Sequence, residues 1–203
     1  MIYYKKILLT TLLLSIIYFT SCDTDSVYIE NITKDRIEKD SLMQFDDNSP
    51  FNFKGKIEFQ PLKYFDVDPE FKFESKLVEY EVKDTLTIYG TQGEARETIR
   101  FGYLTFPYDG SDYRVNVYQN QLKNKQKYYS IWFTDKTTNI ETYGVGRYLE
   151  FEKKDDPEYA YEIDFNLAFN PYCAYNKVFS CAIPTQEDYI NLAITAGEKK
   201  IHD

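Results

Sequence analysis

From Phe71 to Thr195 the apolar residues fall into short segments that alternate with polar ones, and no long helical pattern interrupts them. Such a period of two places every second side chain on one face, so each segment reads as a half-buried strand. The segments are 71–73, 76–82, 85–89, 97–106, 113–118, 128–133, 145–152, 159–165 and 190–195, all rich in aromatic or β-branched residues. Asp109-Gly110-Ser111, Gly90-Thr91-Gln92-Gly93 and the stretch from Lys153 to Pro157 separate them with residues that accept tight turns. Closely spaced strands without intervening helices predict a mainly β fold, an antiparallel β barrel or sandwich of about nine strands. With 43% hydrophobic and 18% aromatic residues in 203, one hydrophobic core suffices, and residues 31–203 are expected to form a single domain.

Ahead of the strands, Ile32, Arg36, Ile37, Leu42 and Phe45 recur at helical spacing behind Asn31 or Thr33 as a cap, which predicts one N-terminal helix over 31–45. Asn48-Ser49-Pro50 ends it, because the residue before a proline disfavours helical angles. Further upstream, Lys5 and Lys6 precede an unbroken apolar run, Ile7 to Phe19, and the run closes on Thr20-Ser21-Cys22. At about 1.5 Å per residue this run falls short of the roughly 30 Å of hydrocarbon a spanning helix must cross. It has instead the basic flank, core length and small-residue junction of a secretory signal peptide, over residues 1–21. The junction resembles a bacterial lipobox, which implies lipidation of Cys22 and attachment to a membrane by its acyl chains. Residues 22–30 would then be the lipidated cysteine and a tether. Their Asp23-Thr24-Asp25 resembles the acidic export signal of Bacteroidota lipoproteins, which implies the outer membrane of a bacterial envelope, whereas in other Gram-negative bacteria an Asp right after the cysteine resembles an inner-membrane retention mark.

Charge and residue counts exclude several functions. The net charge of −9 becomes −11 once the leader and its two lysines are gone, so the surface repels phosphate backbones and nucleic acid is not an expected partner. The only histidine is His202, which removes histidine bases and histidine-built metal sites from the body of the chain. No phosphate-binding glycine loop, serine elbow or metal-ligand spacing is present, and neither a metal nor another cofactor is expected. Asp66-Val67-Asp68-Pro69-Glu70 lacks the glycine turn and distal glutamate of a calcium loop and reads as a turn.

One stretch breaks the pattern of strands. Residues 166–188 show no periodicity, and a loop this long inside a compact domain has either a function or extensive internal pinning. Around it lie Glu141-Thr142-Tyr143-Gly144-Val145-Gly146-Arg147-Tyr148-Leu149, the run Asp164-Phe165-Asn166-Leu167-Ala168-Phe169-Asn170-Pro171-Tyr172-Cys173-Ala174-Tyr175, and Ala196-Gly197-Glu198-Lys199. This combination closely resembles the bacterial family called domain of unknown function 1684, over roughly residues 35–201. The resemblance implies no activity, since none is established for the family. Ala182 and Phe169 stand where the family commonly has proline and tyrosine.

Arg147, Asp164, Asn166, Asn170, Tyr175 and Glu198 are the candidate site residues. Arg147 can clamp a carboxylate with its planar fork, either a protein one such as Asp164 or one on a ligand. Asp164 and Asn166 are two apart and face the same way if extended. Two readings follow. The six form a network pinning the long loop, or they line a pocket for a small polar or anionic ligand with Phe169 and Tyr175 as walls, in a module that binds a ligand or an envelope protein. The alternative is a histidine-free acid/base enzyme using Arg147, Asp164 and Glu198. Cys173 and Cys181, so close in sequence in an exported chain, suggest a disulfide contributing about 2.5 kcal/mol.

Overall fold

A computed structural model describes the backbone of residues 2–122 and 124–202, and the side chains of 24–122 and 124–202. The lipidation expected at Cys22 and the signal peptide before it lie outside the described side chains. The chain begins with helix α1, Ile2–Phe45. Among the described residues nine strands follow: β1 Lys72–Lys76, β2 Val78–Glu79, β3 Thr85–Tyr89, β4 Ala95–Tyr108, β5 Ser111–Gln121, β6 Lys127–Asp135, β7 Arg147–Leu149, β8 Ala160–Asp164 and β9 Tyr189–Ile190. Each falls on or beside a segment expected to be extended.

The backbone of β4 is the organising element, because its two edges carry three partners. β5 pairs antiparallel along one edge, joined by Asp109-Gly110, whose φ of 46° and 72° make the mirror-image turn that matches strand twist. β3 and β2 share the other edge end to end. β6 extends the sheet beyond β5 and also pairs with β7, antiparallel, and with β9, parallel. β1 and β8 form a separate antiparallel ribbon. Among the described residues no ladder joins β7 to β8, so the strands make a mainly antiparallel fold without a closed barrel.

Alternation along β4, β5, β6 and β8 delivers Leu104, Phe106, Val115, Val117, Ile131, Phe133, Tyr161 and Ile163 to one interior. Phe165, fully buried, packs edge-on against Phe106 and Phe133 at 5.0 and 5.3 Å. Burying each such side chain stabilises the fold by about 1.5–3 kcal/mol. A second cluster of Met43, Phe51, Leu62, Tyr175 and Ile201 joins the end of α1 to the long loop and the C-terminal segment. The buried hydrophobic residues lie between Ile32 and Ile201, so a chain starting at residue 23 contains the whole described core.

The helix departs from expectation in two ways. It continues through the segment expected to be a tether, because Thr33 does not cap a new helix; its hydroxyl donates back to the Ile29 carbonyl at 2.7 Å. Its buried face is also different. Ile32 and Met43 point inward, whereas Ile37, Leu42 and Phe45 are exposed.

Candidate functional site

Arg147 opens β7 immediately after Gly146, which sits at φ +97° where an added Cβ would come within 2.4 Å of the Phe133 carbonyl. Register places Arg147 opposite Phe133 of β6, and alternation turns its side chain inward, leaving it 1% exposed. The guanidinium donates to Asp135 Oδ2 at 2.7 Å and to the Ile194 carbonyl at 2.8 Å, and its other nitrogen donates to the carbonyl of Ala196. The partner is therefore Asp135, not Asp164. Asp135 was missed because it lies twelve residues away, on the neighbouring strand; its Oδ1 also accepts from the Thr137 amide and hydroxyl at 2.8 and 2.6 Å. Burial lowers the Arg147 pKa and the Asp135 carboxylate opposes that shift. The ion pair thus ties the segment 194–198 to β6 and β7.

Glu198 is the second node, also 1% exposed. Its Oε2 accepts from the Asn170 amide at 2.8 Å and from the Tyr175 hydroxyl, and its Oε1 is 2.6 Å from Lys39 Nζ of α1. The Asn170 side chain donates to the Lys199 carbonyl at 2.8 Å, pinning the long loop to the C-terminal segment. Burial and the Glu198 charge raise the Tyr175 pKa well above its usual value, which keeps this phenol a neutral donor.

Asp164 and Asn166 form the third node. Asp164 caps the 3₁₀ turn Phe165–Leu167 by accepting from the Asn166 amide at 2.9 Å, and accepts from the Tyr28 hydroxyl at 2.7 Å. The Asn166 side chain exchanges two hydrogen bonds with the backbone of Asp68, at 2.8 and 2.7 Å. Arg36 donates to the carbonyls of Phe65 and Asn166 at 2.8 and 3.3 Å. All six candidate residues therefore sit in one connected region, with their polar groups directed mainly at protein partners. Tyr28, Arg36 and Lys39 went unrecognised in the sequence. The available signal was spacing: 28, 32, 36, 39 and 43 lie on one face of a helix, the face that carries Ile32 and Met43.

The two cysteines are free thiols rather than a disulfide. The Cys173 amide donates to Cys181 Sγ at 3.2 Å, and the Tyr143 hydroxyl lies 3.9 Å from Cys173 Sγ. Donation from Cys181, helped by Tyr143, lowers the Cys173 pKa to about 7, while the Cys181 pKa is raised.

A cleft of about 530 Å³ opens where β7 and β8 fail to pair. Ile131, Leu149 and Ile163 from β6, β7 and β8 line it, together with Leu42 and Met43 of α1 and Leu167, Phe169 and Tyr172 of the long loop. Asp46, Glu150, Glu162, Asp164 and Lys39, with the uncharged Asn48 and Ser49, complete the lining. Of the six candidate residues only Asp164 reaches the cleft. Phe169 forms a wall as expected, but Tyr175 belongs to the buried cluster beside it.

Comparison with known proteins agrees with this architecture. An uncharacterized protein of Haloarcula marismortui, solved by NMR in solution, is 27% identical; the match covers 87% of this chain and 96% of that one, with a TM-score of 0.62. No curated protein matches. Residues 57–199, which include β1 to β9 and all the candidate residues, match the family described as Protein of unknown function (DUF1684). The chain therefore belongs to the DUF1684 family.

Proposed function

We propose that this protein is a binding module of the bacterial envelope, held at the outer membrane by acyl chains on Cys22, and that its ligand occupies the cleft between β7, β8 and α1. The cleft carries the proposal. Its volume is in the range of small-molecule sites, and eight of its lining side chains are aliphatic or aromatic. This wall chemistry favours an apolar body over the small polar or anionic ligand suggested by Arg147, whose guanidinium is buried on Asp135 and carbonyl oxygens. An acid/base reaction draws no support from the geometry, since Arg147 and Glu198 are 1% exposed and neither lines the cleft.

Filling the cleft tests the reading. Titration of the chain from residue 23 with the neutral apolar dye N-phenyl-1-naphthylamine is expected to give saturable fluorescence enhancement. Leu149→Trp should weaken that binding at least about tenfold, a loss of roughly 1.4 kcal/mol. Because Leu149 is buried and overpacking costs about 1–3 kcal/mol, Leu167→Trp at an exposed lining position gives a second variant that leaves the core alone. Undiminished dye binding in both variants would remove the cleft from the account.

A further inference from the structure

The cleft is apolar in its walls but acidic in its charged groups, and this asymmetry identifies a class of ligand. Four carboxylates line it, from Asp46, Glu150, Glu162 and Asp164, against one cation, Lys39. Lys39 is already committed: its ammonium lies 2.6 Å from Glu198 Oε1 and 4.8 Å from the centre of the Phe169 ring. Glu162 is partly offset by Lys72 at 2.8 Å. Asp164 is not offset in this way. It is 4% exposed, no Lys, Arg or His nitrogen among the described residues comes within 4 Å of it, and the hydrogen bonds it receives come from a phenol and an amide, both neutral. Arg36, nearby, spends both Nη groups on the carbonyls of Phe65 and Asn166 and meets the Asp164 charge only at a distance beyond an ion pair. A buried carboxylate with no cation in direct contact is costly, and a cation arriving in the cleft would relieve that cost.

We propose that the ligand of the cleft is a cationic amphiphile, an apolar chain or ring system bearing an amine or quaternary ammonium head, with the head beside Asp164 and the body on Ile131, Leu149 and Ile163. The assignment rests on the cleft being the binding site. The exposed ring of Tyr172 adds a π face that suits an ammonium head, whereas an anionic head would meet four carboxylates.

The test uses the chain from residue 23 and three probes with one twelve-carbon tail: dodecyltrimethylammonium and dodecyl sulfate below their micelle concentrations and dodecanol below its solubility, competed against N-phenyl-1-naphthylamine. The ammonium probe should bind at one per chain and at least about tenfold tighter than dodecanol, with the sulfate weakest. Asp164→Asn, which can keep an acceptor for the Asn166 amide and turn its NH2 as a donor to the Tyr28 hydroxyl oxygen, should bring the ammonium probe level with dodecanol. If that variant fails to fold, Asp46→Asn combined with Glu150→Gln should narrow the preference instead. Equal binding of all three probes, a preference for sulfate, or ammonium binding at several per chain that ignores the substitutions would overturn the charge assignment while leaving the cleft as the site. Failure of every probe to displace the dye would count against the cleft itself.

Discussion

Replacing Arg147 by alanine is expected to lower the free energy of unfolding by about 3–5 kcal/mol, the usual cost of stranding one member of a buried ion pair. Asp135, fully buried at its carboxylate, would keep only its bonds from Thr137 and Thr138, and the carbonyls of Ile194 and Ala196 would lose their donor. For a domain of this size the loss corresponds to a fall in Tm on the order of 10 °C. Urea denaturation measures it directly. The folded fraction should still bind the apolar dye, because Arg147 does not line the cleft. An unchanged unfolding midpoint would mean that the guanidinium holds nothing, and loss of dye binding with full stability would return Arg147 to a ligand site.

Gly197→Ala should cost about as much, for a different reason. Gly197 sits at φ +78°, where a Cβ would lie 2.6 Å from both the Ala168 and the Phe165 carbonyl oxygens and 2.9 Å from the Ala168 Cβ. These atoms belong to backbone or to a buried alanine and cannot swing away. The same residue's carbonyl accepts from the Phe65 amide at 3.0 Å, and the next amide, of Glu198, donates to the Ala168 carbonyl at 2.9 Å. A shift that relieves the clash therefore breaks the bonds that set Glu198 in place. The left-handed conformation alone costs an alanine roughly 1–2 kcal/mol, and crowding should bring the total to about 3 kcal/mol or more. Gly110→Ala separates the two effects: its φ is +72° but no atom lies within 4 Å of the added Cβ, so it should cost only the conformational part. Equal losses at both positions in thermal unfolding would show that contact with Ala168 is irrelevant.

The strands were legible because alternation is local. Thr85 to Tyr89 coincides with β3, and the segments that became β4, β5 and β6 were right in place and direction, differing only at their ends. β7 is shorter than its pattern, three residues instead of eight, since Gly146 at φ +97° starts it abruptly and regular pairing stops at Leu149. The polar partners were not legible, because each is set by tertiary position. Nothing near Arg147 in sequence points to Asp135, which becomes its neighbour only through the pairing of β6 with β7. Tyr28 and Lys39 reach Asp164 and Glu198 across more than a hundred residues of chain. The cleft was illegible for the same reason: its walls come from α1, three strands and the long loop, and its opening exists because β7 and β8 do not pair.

The central claim is that ligand binds in the cleft rather than at the arginine network, and one methyl group tests it. The sequence has two methionines, Met1 and Met43, so a chain from residue 23, released from a cleavable tag, carries Met43 alone, in the lining of the cleft. Methionine labelled with carbon-13 at its methyl then gives a single NMR signal from the site. Titration with dodecyltrimethylammonium should move that signal saturably, with an endpoint at one equivalent. A methyl signal that stays in place while the probe binds would put the ligand elsewhere and contradict the account.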